Sequence, residues 1–193
     1  MTKEVFISVD IEADGAIPGD YSMLSIGACV VENPAQTFYR ELKPLDKAGF
    51  DPEAVKVTGR LREDCLENGN NPLTVMEDFD AWVQRVRNGQ KAVFVGFNAT
   101  FDWLFVHWYF IHYLGRSPFG IAGLDIKAFY MGRFATEWRD ACKRPIKKHL
   151  NSLGFQPSKH THNALDDALE QAAIFAALLK IEPRAITRRA YSH

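Results

Sequence analysis

Near its N-terminus the chain reads Val5-Phe6-Ile7-Ser8-Val9-Asp10-Ile11-Glu12, an apolar run of strand length that ends in two acids. Successive side chains of a strand alternate between its two faces, so Asp10 and Glu12 point the same way. Two carboxylates in one small volume repel each other unless a cation lies between them, and this is how proteins bind hard metals such as Mg²⁺ or Mn²⁺. Taken alone, the pair also fits a solvated strand end.

The composition favours one globular domain. The 193 residues are 47% apolar and 12% aromatic, which is enough for a full hydrophobic core. We expect a domain over residues 1–183 and a basic C-terminal tail over 184–193. The net charge of -1 argues against a protein that coats long duplexes through many phosphate contacts, although it is compatible with an enzyme that acts on short strands.

Other classes of protein are disfavoured by what the sequence lacks. The three cysteines have no Cys-x-x-Cys spacing, so neither a disulfide framework nor a zinc site is indicated. No apolar segment has the length of a membrane span, and the N-terminus has no signal-peptide pattern. We expect a cytoplasmic protein with no membrane partner. The oligomeric state stays open, with a homodimer as one option.

Alternating apolar residues predict two further strands, over 23–31 and 37–42, which form an antiparallel hairpin beside the first strand. Residues 44–71 are irregular, with room for one or two short helices. Asn71-Pro72 predicts a helix start and Asn88-Gly89 its end, and a second buried strand follows at 92–97. Strands followed by alternating strands and helices indicate an α/β domain with a mixed central sheet flanked by helices.

More acids fall at the ends of predicted elements. Asp102 lies in the first turn of the helix after the second buried strand, and this helix carries an apolar face of Phe101, Leu104, Phe105, Trp108 and Ile111. Asp125 precedes another helix and is expected to cap it rather than to bind metal. His162, Asp166 and Asp167 lie at the start of the last long helix, which is predicted over about 163–179.

Three ordered motifs resemble those of the DEDDh 3′-to-5′ exonucleases, which have the ribonuclease H-like fold of the DnaQ-like enzymes. The motifs are Val-Asp-Ile-Glu at 9–12, Gly-Phe-Asn-Ala-Thr-Phe-Asp-Trp-Leu-Phe at 96–105, and His-Asn-Ala-Leu-Asp-Asp-Ala at 162–168. The resemblance implies a ribonuclease H-like single domain and a metal-dependent exonuclease that releases nucleoside 5′-monophosphates from short single strands. Two different functions stay open, namely a catalytically silent nucleic-acid-binding module on the same fold and another metal-dependent phosphohydrolase.

The resemblance also assigns roles to residues. Asp10, Glu12, Asp102 and Asp167 are implied as ligands of two Mg²⁺ or Mn²⁺ ions, and His162 as the general base. Helical geometry alone favours Asp166, four residues after His162, whereas the family pattern implies Asp167, which we adopt. Many members have Ser or Thr after the motif Glu and His before the motif Asn, where this chain has Ala13 and Phe97.

Residues around these motifs are predicted to bind the substrate. They are Ala13, Asp14, Gly15, Asn98 and Phe101. Candidates for stacking on bases are Phe97, Phe101, Ile17 and Met23, for which ordinary core packing is the alternative. Asp14 could accept a hydrogen bond from a ribose 2′-hydroxyl, which favours RNA slightly over DNA, or it could cap a turn. The basic stretch over 139–149 is either a solvated helix face or a phosphate track beside the active site.

Overall fold

The computed structural model describes residues 3–59, 61–155 and 163–182. Its strands are β1 (Glu4–Ala13), β2 (Met23–Val30), β3 (Asn33–Glu41), β4 (Lys91–Gly96) and β5 (Gly123–Asp125). Its helices are α1 (Pro52–Thr58), α2 (Leu61–Asn68), α3 (Pro72–Arg87), α4 (Ala99–Leu114), α5 (Ile126–Phe134), α6 (Lys143–Ser152) and α7 (Ala164–Lys180), with a 3₁₀ turn at Trp138–Asp140. The expected tail at 184–193 lies outside the described residues, so its separation from the domain stays a prediction.

The sheet is mixed, as predicted, and β1 lies at its centre. The strand order is β3-β2-β1-β4-β5, with β1 antiparallel to β2 and parallel to β4. Because β1 and β4 are parallel, their carboxyl ends meet at one edge of the sheet. This edge carries Asp10 and Glu12 at the end of β1 and the start of α4 after β4.

Helices cover both faces of the sheet, and the alternation along β1 decides which residue meets which layer. The odd-numbered residues Ile7, Val9 and Ile11 enter a core shared with α3 and α4. Phe6 on the opposite face packs with α5, α6 and α7. Asp10 and Glu12, which have the same parity as Phe6, therefore face the α7 layer. Among the described residues, no helix is long and apolar enough to cross a membrane.

One strand boundary differs from the sequence-based prediction. Strand β3 begins at Asn33 and includes Pro34, which was expected in the turn. The sheet accepts this proline because β3 is an edge strand, where a missing N–H breaks no ladder in the interior. The irregular stretch 44–71 contains two short helices, α1 and α2, as the prediction allowed.

Helix α4 buries a different stripe from the one its apolar pattern suggested. Of the predicted face, Phe105 is buried, whereas Phe101, Leu104 and Ile111 are each more than 40% exposed. The residues that α4 buries are Ala99, Asp102, Phe105, Val106, Tyr109 and Phe110. Apolar residues surround nearly the whole of this helix, so their spacing does not indicate which side meets the sheet.

Candidate active site and metal centre

The site begins with the two acids of β1. Asp10 and Glu12 lie on the strand face that α7 covers. The Ser8 hydroxyl, on the same face two residues earlier, donates a hydrogen bond of 2.8 Å to the carbonyl oxygen of Ala168. This buried bond fixes the first turns of α7 against β1, directly beside the acid pair.

Helix α7 brings a third carboxylate to this pair. The Asn163 side chain caps the helix by accepting hydrogen bonds from the backbone N–H groups of Leu165 and Asp166. Asp167 is buried, and its ligand oxygen lies with those of Asp10 and Glu12 in a group whose members are all within 4.8 Å of one another.

Asp166 points elsewhere and is exposed. The structure thus places Asp167 in the cluster, as the motif implied, while its role as a metal ligand stays a prediction.

A glycine on β2 allows the first turn of α7 to lie against the sheet. Gly27 pairs with Asp10 across the β1–β2 ladder. A Cβ atom at this position would lie 2.3 Å from the backbone of Ala164 and Leu165. Any larger residue would therefore force the first turn of α7 away from the sheet.

Asp102 reaches the cluster from the first turn of α4. Its side chain is buried, and its Oδ1 accepts a hydrogen bond of 3.1 Å from the backbone N–H of Ile11, between the two acids of β1. That bond fixes the α4 carboxylate at the end of β1. Four acids from three elements thus converge on one edge of the sheet.

The acids of this cluster oppose each other's ionisation. Burial, with the Asp102 and Asp167 carboxylates, raises the pKa of Asp10 well above its ordinary value. Burial and the Asp167 charge raise the pKa of Glu12 to about 7. Burial likewise raises the pKa of Asp102 to about 7, although its bond from Ile11 acts in the opposite direction. A cluster of this kind is stabilised by any cation that neutralises it.

Gln171 orients the cluster without adding charge to it. Its Nε2 donates a hydrogen bond to Asp10 Oδ1, and its Oε1 accepts one of 2.9 Å from the backbone N–H of Phe97. Gln171 lies four residues after Asp167, hence on the same face of α7. The sequence prediction missed this residue, although its spacing from Asp167 was the signal that could have found it.

A pocket of about 320 Å³ opens beside Glu12 and holds three of the predicted substrate contacts. Ala13, Gly15 and Phe101 line it. The remaining lining residues are Ile11, Glu12, Ala16, Asp51, Ala54, Val57 and Thr58, of which the last four come from α1 and its cap. The α1 residues were not predicted as substrate contacts, because the local pattern of the irregular stretch 44–71 does not indicate which part of the fold it packs against.

The structure contradicts the ribose contact predicted for Asp14 and agrees with the alternative, a residue that caps a turn. Its side chain is fully buried, with Oδ1 accepting from the Ser22 N–H and Oδ2 paired with Arg62 Nε at 3.0 Å. Its backbone N–H donates to the Ser22 carbonyl oxygen. Both carboxylate oxygens therefore have partners within the protein, and Asp14 holds the loop after β1 in place.

The other predicted contacts divide between surface and core. Phe101 and Ile17 are 41% and 54% exposed and are free to stack on a base, whereas Phe97 and Met23 are buried, which agrees with the alternative that they are ordinary core residues. Asn98 is exposed at the N-terminus of α4, in a left-handed backbone conformation with φ 58°. His162 lies outside the described residues, and its role as general base stays a prediction.

Comparison with known proteins identifies the family. A family model described as "Exonuclease" (RNase_T) matches residues 7–175. The 3′-5′ DNA exonuclease Cap18 of Escherichia coli is 44% identical over 183 residues, which cover 94% of this chain and 95% of that protein. The chain belongs to the DEDDh 3′-to-5′ exonuclease family.

Solved structures show that the fold is the ribonuclease H-like fold of this family. The nuclease domain of 3′hExo, a DEDDh family member bound to rAMP, superposes with a TM-score of 0.69 at 14% identity over 91% of each chain. The zinc-bound E. coli ExoI–ssDNA complex superposes with a TM-score of 0.70 at 16% identity, over 94% of this chain and 42% of that one.

Membership makes this chain a 3′-to-5′ exonuclease that acts on nucleic acid and depends on divalent metal. The acid cluster fits that requirement, because it offers only carboxylate oxygens, the ligands that hard divalent cations prefer. The mutual repulsion of its acids is the electrostatic property that a bound cation relieves.

Proposed function

We propose that this exonuclease removes nucleotides from the 3′ end of single-stranded DNA with two Mg²⁺ or Mn²⁺ ions and releases nucleoside 5′-monophosphates. The observation that carries the proposal is the convergence of Asp10, Glu12 and Asp167 oxygens within 4.8 Å of one another, beside the buried Asp102. Four carboxylates match the charge of two divalent cations.

DNA is favoured over RNA for two reasons. The residue-level argument for RNA depended on Asp14, whose carboxylate is fully engaged with Ser22 and Arg62. In addition, the relative that is 44% identical over nearly the whole chain is a DNA exonuclease. We therefore replace the slight preference for RNA by a preference for DNA.

The residues proposed to hold the metal ions are Asp10, Glu12, Asp102 and Asp167. Ions bound there would polarise the scissile phosphate and lower the pKa of the attacking water. The protein positions these ligands through the bond from Gln171 to Asp10 and the bond from Ile11 to Asp102. His162, which the family motif places before α7, is proposed to accept the proton of the water, since imidazole titrates near neutral pH.

The pocket beside Glu12 supports action at the end of a strand. Its volume of about 320 Å³ is at the small end of ligand pockets and suits a single terminal nucleotide rather than a strand that passes through. Phe101 offers an exposed ring at its wall for stacking on any base. We therefore expect cleavage that depends little on base identity.

The test uses 5′-labelled single-stranded DNA, single-stranded RNA of the same sequence and blunt duplex DNA, each with Mg²⁺ or Mn²⁺. We expect a ladder of shortened products, a higher kcat/KM for single-stranded DNA than for RNA, and nucleoside 5′-monophosphates on chromatography. Asp10→Asn should abolish the ladder. A strand that is retarded on a gel but stays intact would refute the proposal, and a higher kcat/KM for RNA would refute its substrate.

A further inference from the structure

Helix α6 forms a basic groove together with Glu170 of α7, which lies three residues after Asp167 of the acid cluster. The groove has a volume of about 570 Å³ and is lined by Lys143, Arg144, Lys147, Lys148, Asn151 and Glu170. Four of these residues are cationic and one is acidic. The basic stretch over 139–149 thus lines a groove with four of its cationic residues, and it is more than a solvated helix face.

The acid in this groove, Glu170, anchors two of the lysines. Glu170 is fully buried on α7, one turn after Asp167. Its Oε2 lies 3.3 Å from Lys143 Nζ, and its Oε1 accepts a hydrogen bond from Lys147 Nζ. The side chains of Lys143 and Lys147 are 30% and 27% exposed. A buried carboxylate that pairs with two cations restrains both ammonium groups.

Lys143 is the lysine of this pair that extends toward the acid cluster. Its ammonium nitrogen lies 5.8 Å from the ring centroid of Phe97. The Phe97 N–H is bonded to Gln171, which in turn bonds Asp10, so the Lys143 ammonium lies over a residue directly linked to the site. Its charge also lowers the pKa of Asp10, Glu12 and Asp102, in opposition to burial.

From this position the Lys143 ammonium can bind an anionic substrate group once cations occupy the acid cluster. Four carboxylates and two divalent cations carry no net charge, so the charge of an incoming phosphate, although the ions would polarise it, is not neutralised by the cluster as a whole. An ammonium already fixed by Glu170 costs little side-chain entropy when it binds an anion. It meets phosphate oxygens as a compact donor of charge-assisted hydrogen bonds.

We propose that Lys143, anchored by Glu170, binds the phosphate at the scissile position and holds it against the acid cluster. The inference depends on the proposed function, since it names a phosphate contact of that same site. Lys147 differs from Lys143 in one respect. It pairs with the same carboxylate but lies one helical turn further along α6, about 6 Å from Lys143 along the helix axis. In this proposal the Lys147 ammonium anchors Glu170, and the Lys143 ammonium, which lies over the Phe97 ring, contacts the phosphate.

This difference supplies a matched control. Lys143→Met and Lys147→Met each remove one partner of Glu170, but only Lys143→Met removes the proposed phosphate contact. We expect Lys143→Met to lower kcat/KM on single-stranded DNA by roughly 10- to 100-fold, the usual cost of a charged hydrogen bond. Lys147→Met should cause a loss at least roughly threefold smaller than that of Lys143→Met, because it weakens the anchor but keeps the Lys143 charge. Lys143→Arg should recover part of the loss because it restores the charge.

Two further measurements separate a phosphate contact from a structural role. In the first, thymidine 5′-monophosphate and thymidine compete with the DNA substrate. Lys143→Met should raise the inhibition constant of the monophosphate roughly 10-fold or more and leave that of thymidine unchanged, since only the former carries the phosphate. In the second, Mn²⁺ should raise the melting temperature of Lys143→Met at least as much as that of wild type, because a repelling charge has been removed.

Each result has a distinct meaning. Wild-type activity with equal losses in Lys143→Met and Lys147→Met, or an unchanged inhibition constant for the monophosphate in Lys143→Met, would overturn the inference and leave the proposed function intact. Absence of nuclease activity in the wild type would instead refute the proposed function. A rise in the inhibition constant for the monophosphate alone, with the Mn²⁺ shift retained, would support the phosphate contact.

Discussion

Without metal, the stability of this protein should fall as the pH rises from about 4.5 to 7. The folded state raises the pKa of Glu12 from 4.5 to about 7, chiefly through burial and the Asp167 charge. It raises the pKa of Asp102 from 3.8 to about 7, again chiefly through burial. Between these values the folded chain binds more protons than the unfolded chain, so the free energy of unfolding decreases with pH. This contribution is fully present below the unfolded pKa and is lost once the pH exceeds the folded pKa.

The magnitude for Glu12 follows from its shift. A change from 4.5 to about 7 corresponds to roughly 3 kcal/mol, which we reduce to about 1 to 3 kcal/mol because the side chain is partly exposed. A bound divalent cation should restore the stability that is lost as the pH rises. At a hundred times its dissociation constant, one ion adds about 2.7 kcal/mol, or roughly 5 to 11 °C in melting temperature for a chain of this length. Because protons compete with the ion, the Mn²⁺ shift should be larger at pH 8 than at pH 5.

Urea unfolding in EDTA at pH 4.5 to 8, repeated with Mn²⁺, measures these effects. Glu12→Gln removes the ionisation, so the difference in stability between wild type and this variant should change by about 1 to 3 kcal/mol across the window. Glu63→Gln, at an exposed position on α2, is the matched control and should show no such change. The reasoning fails if wild type and Glu12→Gln have the same pH dependence, or if the Mn²⁺ shift is equal at pH 5 and pH 8.

Three further predictions concern the packing and the ligands. Gly27→Ala should cost about 1 to 3 kcal/mol in urea unfolding and reduce the Mn²⁺ shift, since its Cβ would lie 2.3 Å from the α7 backbone. Gly132→Ala, where a Cβ would meet no atom within 4 Å, should stay within about 1 kcal/mol of wild type. Asp167→Ala should lose the Mn²⁺ shift in thermal melts while Asp166→Ala keeps it, and the reverse result would move the ligand to Asp166. His162→Ala should keep the shift but lower kcat on single-stranded DNA by roughly 10² to 10⁴-fold, and unchanged kcat would exclude it as the base.

The acid pair of β1 and the cap of α5 could be predicted from local rules, whereas the resemblance to the family motifs assigned Asp102 and Asp167 to the site. Alternation along β1 put Asp10 and Glu12 on one face, and the structure shows that this face meets α7. Asp125 caps α5 as expected, with its Oδ1 accepting from the Ala128 N–H at 2.7 Å. In both cases the orientation of the side chain is set by residues close to it in sequence, so a local sequence pattern is enough to predict it.

The errors fall where the partner is distant in sequence. Asp14 carries the features of a surface turn, but Arg62, 48 residues away, pairs with its carboxylate and buries it. The buried stripe of α4 was unpredictable for a similar reason, since Tyr109 is turned inward by a hydrogen bond of 2.9 Å from the Met23 N–H to its hydroxyl. Lys143 and Glu170 belong to two helices whose contact no local pattern encodes.

Helix α7 explains why the site behaves as one unit. Asp167, Glu170 and Gln171 are spaced by three and four residues, so one helix face presents a carboxylate to the cluster, a carboxylate to Lys143 and an amide to Asp10. The position of that face depends on the contact between Gly27 and the first turn of the helix. A displacement there would separate all three side chains from their partners together. Metal binding and phosphate binding, although made by different residues, should therefore be lost together when α7 shifts and separately when a single side chain is removed.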